Sequence, residues 1–488
     1  MDYLDPKSQR MQRIRLWIGY ALVAISIVIG CVILLWQAYG YGLKNGQVIQ
    51  NGMVFLSSQP NPASIYVNGV LNPATTNTRL TIPAGVYKFE LSSPGYRPWY
   101  HLIPIYGGQV IHYDYPLLFP VKLTKTIIAK YAAAPVIATQ SPSQQYLVVS
   151  DPANFGSFLE YDLTNPKAPP VTLNLPQGLL SPATTSQSWQ VVGWANDNQH
   201  LLLDHLYDGS QEFIELDTQN PSQSINLNKT YNVNPTSVSF NNLRYNQFYF
   251  YDSTTQILSA ATIGSSTVNQ LETGVLAYKS YGSKDFLYVT STSSDPAGQV
   301  SVELDNGGTD YFVRYLPTST IYLLNMADYN GTNYSVVGAS SGDFVYIYEN
   351  ILSQAQAGPN PKIEPFRALK IANPNYESFA PTAQFILTEN GQNFAVYDIY
   401  NDIIYHYKTS LPLDSPQTHV SWMDGDRLMF VSGGKLVVFD YDNTNRQTLT
   451  PALPAYPSFF APDYRSYFGL VQATPTGVDL YQTSLVVP

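Results

Sequence analysis

The sequence predicts an all-β chain carried on one apolar N-terminal helix. Three observations lead there. One uncharged run near the N-terminus is long enough to cross a bilayer. After about residue 46 the chain breaks into short alternating runs bounded by Gly, Pro, Asn and Asp, the pattern of strands and tight turns. From about residue 120 those runs recur with a period of about 40–45 residues.

Residues 16–36 form the uncharged run, LWIGYALVAISIVIGCVILLW. A helix of that length rises about 31 Å, enough for the hydrocarbon core. Leu16 and Trp17 begin this anchor and Trp36 ends it, with Tyr20 and Tyr39 as further interfacial aromatics. Lys7, Arg10, Arg13 and Arg15 precede it and only Lys44 follows closely. The positive-inside rule then puts the N-terminus in the cytoplasm, with a tail of residues 1–15, a helix over 16–38 and the bulk of the chain outside. Localisation is therefore expected at the plasma membrane, single-pass, with lipid as the helix's partner.

Two other readings compete. A cleaved signal would have a shorter apolar core and a small-x-small site, whereas this run is longer and ends in Trp-Gln-Ala-Tyr. Val28-Ile29-Gly30-Cys31 resembles a bacterial lipobox, but the five residues after Cys31 stay apolar. Cys31 is the chain's one cysteine, so disulfides cannot staple the body, which must rely on core size.

Composition supports a large folded body. Of 488 residues, 44% are hydrophobic and 12% charged, and 39 are Tyr. Disorder requires low hydrophobicity and high net charge. Net charge is −10; residues 1–15 hold four basic and two acidic side chains, +2, leaving −12 for the rest. An acidic body without a basic stripe excludes nucleic acid as a partner.

Residues 46–119 read as a small β-sandwich. Met53-Val54-Phe55-Leu56, Ser64-Ile65-Tyr66-Val67, Arg79-Leu80-Thr81-Ile82 and Val86-Tyr87-Lys88-Phe89-Glu90-Leu91 read as strands, and Val110-Ile111-His112-Tyr113-Asp114-Tyr115 as the closing strand. Asn68-Gly69 is a strong hairpin signal. The layout resembles the PEGA domain, a β-module of bacterial and archaeal surface proteins, and a bacterial origin is the expectation. The resemblance rests on Ser57-Ser58, on Ile65-Tyr66-Val67-Asn68-Gly69, on Pro83-Ala84-Gly85-Val86-Tyr87 and on Gly95-Tyr96. The eponymous tetrad reads Pro60-Asn61-Pro62-Ala63, and Pro62 in place of Gly fixes φ near about −65°, so the turn differs in type. The resemblance implies a stalk-like, envelope-facing module without catalysis.

Residues 120–488 carry the long period. Each unit has an entry strand, a turn, a strongly apolar strand, a third strand and an Asp-rich turn. Ser141-Pro142-Ser143-Gln144-Gln145 leads to Leu159-Glu160-Tyr161-Asp162; Ala195-Asn196-Asp197-Asn198-Gln199 leads to Phe213-Ile214-Glu215-Leu216-Asp217. Thr388-Glu389-Asn390-Gly391-Gln392-Asn393 and Trp422-Met423-Asp424-Gly425-Asp426 read as the same turn between first and second strands. Units start near 133, 186, 233, 273, 320, 376, 416 and 456. Four-stranded repeats at this period predict a seven- or eight-bladed β-propeller. It resembles WD-type and TolB-type propellers, without the Gly-His and Trp-Asp dipeptides of WD repeats. The last unit shows three strands, and Val121-Lys122-Leu123-Thr124-Lys125-Thr126-Ile127-Ile128 is predicted to complete it, leaving no free edge.

The sequence nominates no catalytic, cofactor-binding or metal-ligating residue. His200 and His205 are five apart on a strand, so their rings point to opposite faces. No Gly-x-Ser-x-Gly elbow occurs. Asp305-Asn306-Gly307-Gly308-Thr309-Asp310 and Asp440-Tyr441-Asp442-Asn443-Thr444-Asn445 are oxygen-rich, but position 6 is not the Gly of a calcium loop, and Asx turns account for both. Carboxylates such as Asp162, Asp217, Asp398 and Asp442 fall in turns. Tyrosines serve strands or an exposed contact surface equally well. The expectation is a non-enzymatic cell-surface binding or scaffold protein without cofactor, engaging an unknown protein or glycan of the envelope. The alternative is a propeller-type hydrolase or lyase. Two or more carboxylates or histidines at the central channel would favour the enzyme; an apolar or Asn/Tyr-lined channel would count against it.

Overall fold

The computed structural model describes residues 6–38, 40–44, 47–282, 285–358 and 362–487. The chain divides into two compact units after Lys122.

The first unit opens with a helix, Pro6–Ala38. Among the described residues it is the one helix long and apolar enough to cross a membrane, over Arg10–Trp36, and the apolar window is unburied. The helix starts ten residues before the apolar run, so Arg10, Arg13 and Arg15 ride on its first turns, exposed. Leu16 and Trp17 are exposed, and Trp36 is half-buried. Ser26 satisfies its hydroxyl inside the helix, donating to the Leu22 carbonyl at 2.9 Å, so that hydroxyl demands no water. Asp2, Asp5 and Tyr39, and the side chains of Lys7 and Lys44, lie outside the described residues.

Two four-stranded sheets follow. One pairs Gln47–Leu56 with Tyr41–Lys44, Thr78–Pro83 and, in parallel, Val110–Tyr113. The other runs in the order Val70–Thr75, Ser64–Val67, Gly85–Ser92, Trp99–Ile105. Period-2 alternation explains the core: Val54, Leu56, Ile65, Phe89, Leu91 and Ile103 are wholly buried while their strand neighbours are not. Asn68 (φ 51°) and Gly69 (φ 81°) make the two-residue turn that the Asn-Gly pair predicts, with Val67 opposite Val70. The sequence reading missed Val70–Thr75 and Trp99–Ile105, because Pro73 and Pro104 break the apolar alternation. Both strands lie at a sheet edge, where proline is tolerated. In the altered tetrad, Ala63 is buried and its amide donates to Thr76 Oγ1 at 2.8 Å.

The second unit is a β-propeller. Among the described residues it holds eight four-stranded antiparallel sheets, numbered here as blades 1–8 by their first strands: Ala138–Gln140, Gln187–Trp194, Ser237–Asn241, Val275–Tyr281, Tyr322–Tyr329, Tyr376–Phe379, Ser421–Trp422 and Phe459–Phe460. Blade 8 takes its fourth strand from the front of the unit: Thr124–Tyr131 pairs antiparallel with Val478–Ser484. The register Val478 opposite Tyr131 and Ser484 opposite Thr124 closes the ring as the sequence predicts, three residues further along than the apolar run suggests. Apolar side chains fill the gaps between blades. Leu147 and Val149 of blade 1 pack with Phe468 and Leu480 of blade 8, and Val148 with Leu201 and Leu203 of blade 2. One turn assignment fails. Asn390-Gly391 joins the second and third strands of blade 6, Phe385–Asn390 and Asn393–Asp398, rather than the first two. Asn-Gly serves any tight hairpin, so it does not carry the strand's ordinal number.

Candidate functional site

First strands of neighbouring blades approach one another and surround the channel. A cavity of about 550 Å³ opens there, lined by the first strands of blades 2–4 and by Met326 of blade 5. That volume suits a small ligand or a short polymer segment. Among the described residues its polar wall is Ser237, Ser239, Asn242, Tyr278, Ser280 and Tyr281, and its one ionisable cation is Lys279. Trp194 and Phe240 add aromatic surface. Among the described residues, neither a carboxylate nor a histidine lines it.

In Val275–Tyr281 only Val275 is fully buried, and the consecutive residues Tyr278, Lys279, Ser280 and Tyr281 all line the cavity. Tyr278 packs inward, its hydroxyl 3.0 Å from Ser239 Oγ, and burial pushes its phenol up to about 12. Glu377 lies on the first strand of blade 6, outside the residues that line the cavity. Asn325 Nδ2 donates to its Oε2 at 3.2 Å. Burial pushes the Glu377 carboxyl up to about 7, opposed by Asn325 and by the charge of Lys279. Sequence reasoning missed Lys279 and Glu377. The available signal was a single charge inside a strand run, in Val275–Tyr281 and in Tyr376–Phe379.

Turn carboxylates are committed to backbone. Asp162 accepts from the Thr164 amide at 2.9 Å, Asp217 from Gln219 and Asn220, Asp398 from Tyr400 and Asn401, and Asp442 from Thr444. The turn between first and second strands repeats one device. Asp197 accepts from the His200 amide and ring, and Asp424 from the Arg427 amide and guanidinium.

Both oxygen-rich motifs are hairpins. Asp440 Oδ2 accepts from Asn445 Nδ2 at 2.8 Å, and Asp305 Oδ2 from the Gly308 amide at 2.9 Å. The structure adds a partner that spacing concealed. Glu272, from the outer strand of blade 3, brings a carboxylate to Asp305 and Asp310, with one oxygen of each within 4.8 Å of the others. Burial, then neighbouring carboxylates, raise the Glu272 carboxyl. These three are the group among the described residues that could hold a cation, with Asp305 already bonded to backbone.

His200 and His205 diverge as the strand period requires. His200 stacks on Tyr245 with ring centroids 4.2 Å apart and its Nδ1 lies 2.6 Å from Asp197 Oδ2. His205 is wholly buried between Phe155, Trp189 and Tyr207, with Nδ1 2.9 Å from Glu212 Oε1. Glu212 also accepts from Ser181 and Asn226. Burial pushes its carboxyl up, but His205, Ser181 and Asn226 outweigh that and hold it at about 2. These are structural polar clusters in blade interiors. Likewise Tyr161, Tyr249, Tyr348, Tyr397 and Tyr467 are buried, so many of the tyrosines fill strands.

Residues 51–118 match the PEGA domain family. No curated protein matches this chain. Several solved propellers resemble it. One is the Dos1 propeller, at 12% identity and a TM-score of 0.44, covering 74% of this chain and 95% of that one. Another is dipeptidyl peptidase 4 of Porphyromonas gingivalis, at 11% identity and a TM-score of 0.47, covering 71% of this chain and 58% of that one. A third is an oligogalacturonate lyase in complex with manganese, at 11% identity and a TM-score of 0.39, covering 72% and 98%. The PEGA domain and the propeller are the chain's two recognisable β-modules, and likeness at this level speaks to fold alone.

Proposed function

We propose that this chain is a membrane-anchored, non-enzymatic binding or scaffold protein of the cell surface. Its N-terminus lies in the cytoplasm, the PEGA domain follows outside, and the propeller engages a polar segment of an envelope polymer or partner protein in its channel. The observation that carries the binding reading is the lining of the 550 Å³ cavity: hydroxyls, aromatic rings and the Lys279 ammonium, with no carboxylate and no histidine among the described residues. Serine and tyrosine hydroxyls bond neutral or anionic polar groups, and tyrosine and tryptophan faces cover sugar or peptide surface at low entropic cost. General acid–base hydrolysis would need two ionisable groups facing one substrate.

A hydrolase or lyase is the second reading, and Glu377 is the observation in its favour. A buried carboxyl raised to about 7 that feels the charge of Lys279 has the protonation balance of a general base, although it is not among the residues lining the cavity. The two readings separate on one variant. If the chain only binds, Glu377→Gln leaves a bound glycan intact and alters affinity alone; if it is an enzyme, wild type shortens that glycan and the variant does not.

The binding reading is tested by probing a glycan array with the detergent-solubilised full chain and with Lys279→Gln. Retention by wild type that the variant loses supports it; equal retention by both overturns the channel as the site. Orientation is tested in a Cys31→Ala background carrying Lys362→Cys, since Lys362 is 85% exposed. A membrane-impermeant maleimide should label that residue on intact cells. Labelling only after lysis contradicts the outward orientation.

A further inference from the structure

The sandwich has two ends, and they differ. At one end the turns converge on the point where the chain leaves the helix. The Asn51 amide donates to the Gly40 carbonyl at 2.7 Å, the Gly108 amide to the Asn51 carbonyl at 2.9 Å, and the Ala84 amide to the Gln50 carbonyl at 3.0 Å. Gly107 packs so closely on the Gln50 side chain that a Cβ there would lie 2.5 Å from its Oε1. Turns from both sheets are therefore bolted to residues 40 and 50–52.

Two residues separate the helix end, Ala38, from the first strand at Tyr41. That linker spans about 11 Å at full extension, and Trp36 is half a helical turn earlier. This end of the sandwich therefore begins at the level of Trp36. It also carries apolar side chains that the described residues leave exposed: Tyr41 is 42% exposed, Val48 59%, Val86 61%, Tyr106 64% and Val110 50%. The turns at the opposite end, residues 57–63, 76–78 and 93–97, hold none of the exposed large hydrophobic side chains found among the described residues, and one, Val121, 63% exposed, is bonded beside them to Gly95.

Charge is divided in the same sense. Residues 40–122 hold Lys44, Arg79, Lys88, Arg97 and Lys122 against Glu90 and Asp114, a net +3. With +2 on residues 1–15 and −10 on the whole, residues 123–488 carry −15. An anionic lipid surface attracts the first segment and repels the second.

We propose that this end of the sandwich rests on the lipid headgroup layer of the membrane that holds the helix, with Tyr106 and Val86 inserted at the interface. The occupant is lipid rather than a protein partner, because the tether holds the apolar end beside Trp36, at the level where the helix reaches the membrane surface. Tyrosine suits that depth, its ring in the acyl boundary and its hydroxyl in water. The sandwich then acts as a seated collar instead of a free stalk. The inference rests on the reading that residues 16–36 span the membrane.

The test uses the full chain in nanodiscs of phosphatidylcholine and phosphatidylglycerol, in a Cys31→Ala background. A fluorophore is placed singly through Tyr106→Cys, Val86→Cys, Asn77→Cys or Val23→Cys, and quenching by lipid spin-labelled near the headgroup is measured. The expected result is several-fold stronger quenching at 106 and 86 than at 77, which lies at the far end. Quenching at 23 with 106 and 86 no different from 77 overturns the seated collar and leaves the anchor standing. No quenching at 23 overturns both.

Discussion

The hydroxyls of Tyr131 and Tyr161 lie 2.7 Å apart, both buried, and they join the strand that closes blade 8 to the third strand of blade 1. Burial, and then Tyr161, raise the Tyr131 phenol far above its usual range. A hydrogen bond screened from water therefore ties the closing strand to blade 1, while its pairing with Val478–Ser484 brings the two ends of the propeller sequence together. Tyr131→Phe leaves the Tyr161 hydroxyl without this partner and should cost about 1–2 kcal/mol. Urea denaturation followed by fluorescence reads it; an unchanged midpoint removes the bond from the account of ring closure.

Glu215 makes stability fall with rising pH. It is 4% exposed, and its Oε1 has no hydrogen-bond partner. Burial first, then Asp197 and Asp217, push its carboxyl from 4.5 up to about 8. The folded chain holds this proton more tightly than the unfolded chain. Its contribution is fully present below about pH 4.5 and is lost as pH rises through about 8. Glu215→Gln should flatten the slope over that window and stabilise the protein at pH 8.5 by about 2–4 kcal/mol. Melting curves from pH 5 to 9 check it, and parallel profiles for variant and wild type refute it.

Glu212 acts in the opposite window. Its carboxyl is held at about 2, so its contribution is present above about 4.5 and is lost as pH falls toward 2. Glu212→Ala strands the buried His205 ring and the Asn226 amide, and should destabilise by about 3 kcal/mol at pH 7. Chemical denaturation measures this; a loss under about 0.5 kcal/mol, the range of a surface substitution, would show that the cluster is dispensable.

Gly52 is fixed by a close approach rather than by its dihedral angles. A Cβ there would lie 2.4 Å from Ile105 Cγ2 and 2.6 Å from the Tyr106 carbonyl oxygen. Gly52→Ala should lower the stability of the sandwich by about 1–3 kcal/mol through overpacking. Hydrogen exchange of Gln47–Leu56 and Trp99–Ile105 isolates that unit from the propeller; unchanged protection contradicts the prediction.

The fold was legible because its signals are local. Asn68-Gly69 specified a hairpin, the apolar run of residues 16–36 a helix, and the repeat of about 40–45 residues a propeller with a borrowed last strand. Strands at sheet edges were not legible, since Pro73 and Pro104 interrupt the pattern that a buried strand keeps. The candidate site was less legible still. Lys279, Asn325 and Glu377 sit on the first strands of three successive blades and come together only when those blades pack side by side. Glu272 reaches Asp305 and Asp310 across a blade boundary in the same way. No spacing rule along one strand captures a neighbour supplied by the next.

Hydrogen–deuterium exchange of the full chain, with and without solubilised envelope polysaccharide, tests the central claim most directly. Channel binding predicts slower exchange in Ser237–Asn241 and Val275–Tyr281, little change in the outer strands Asn269–Glu272 and Asp310–Pro317, and loss of the effect in Lys279→Gln. Protection confined to the outer strands, or equal protection in the variant, would contradict it.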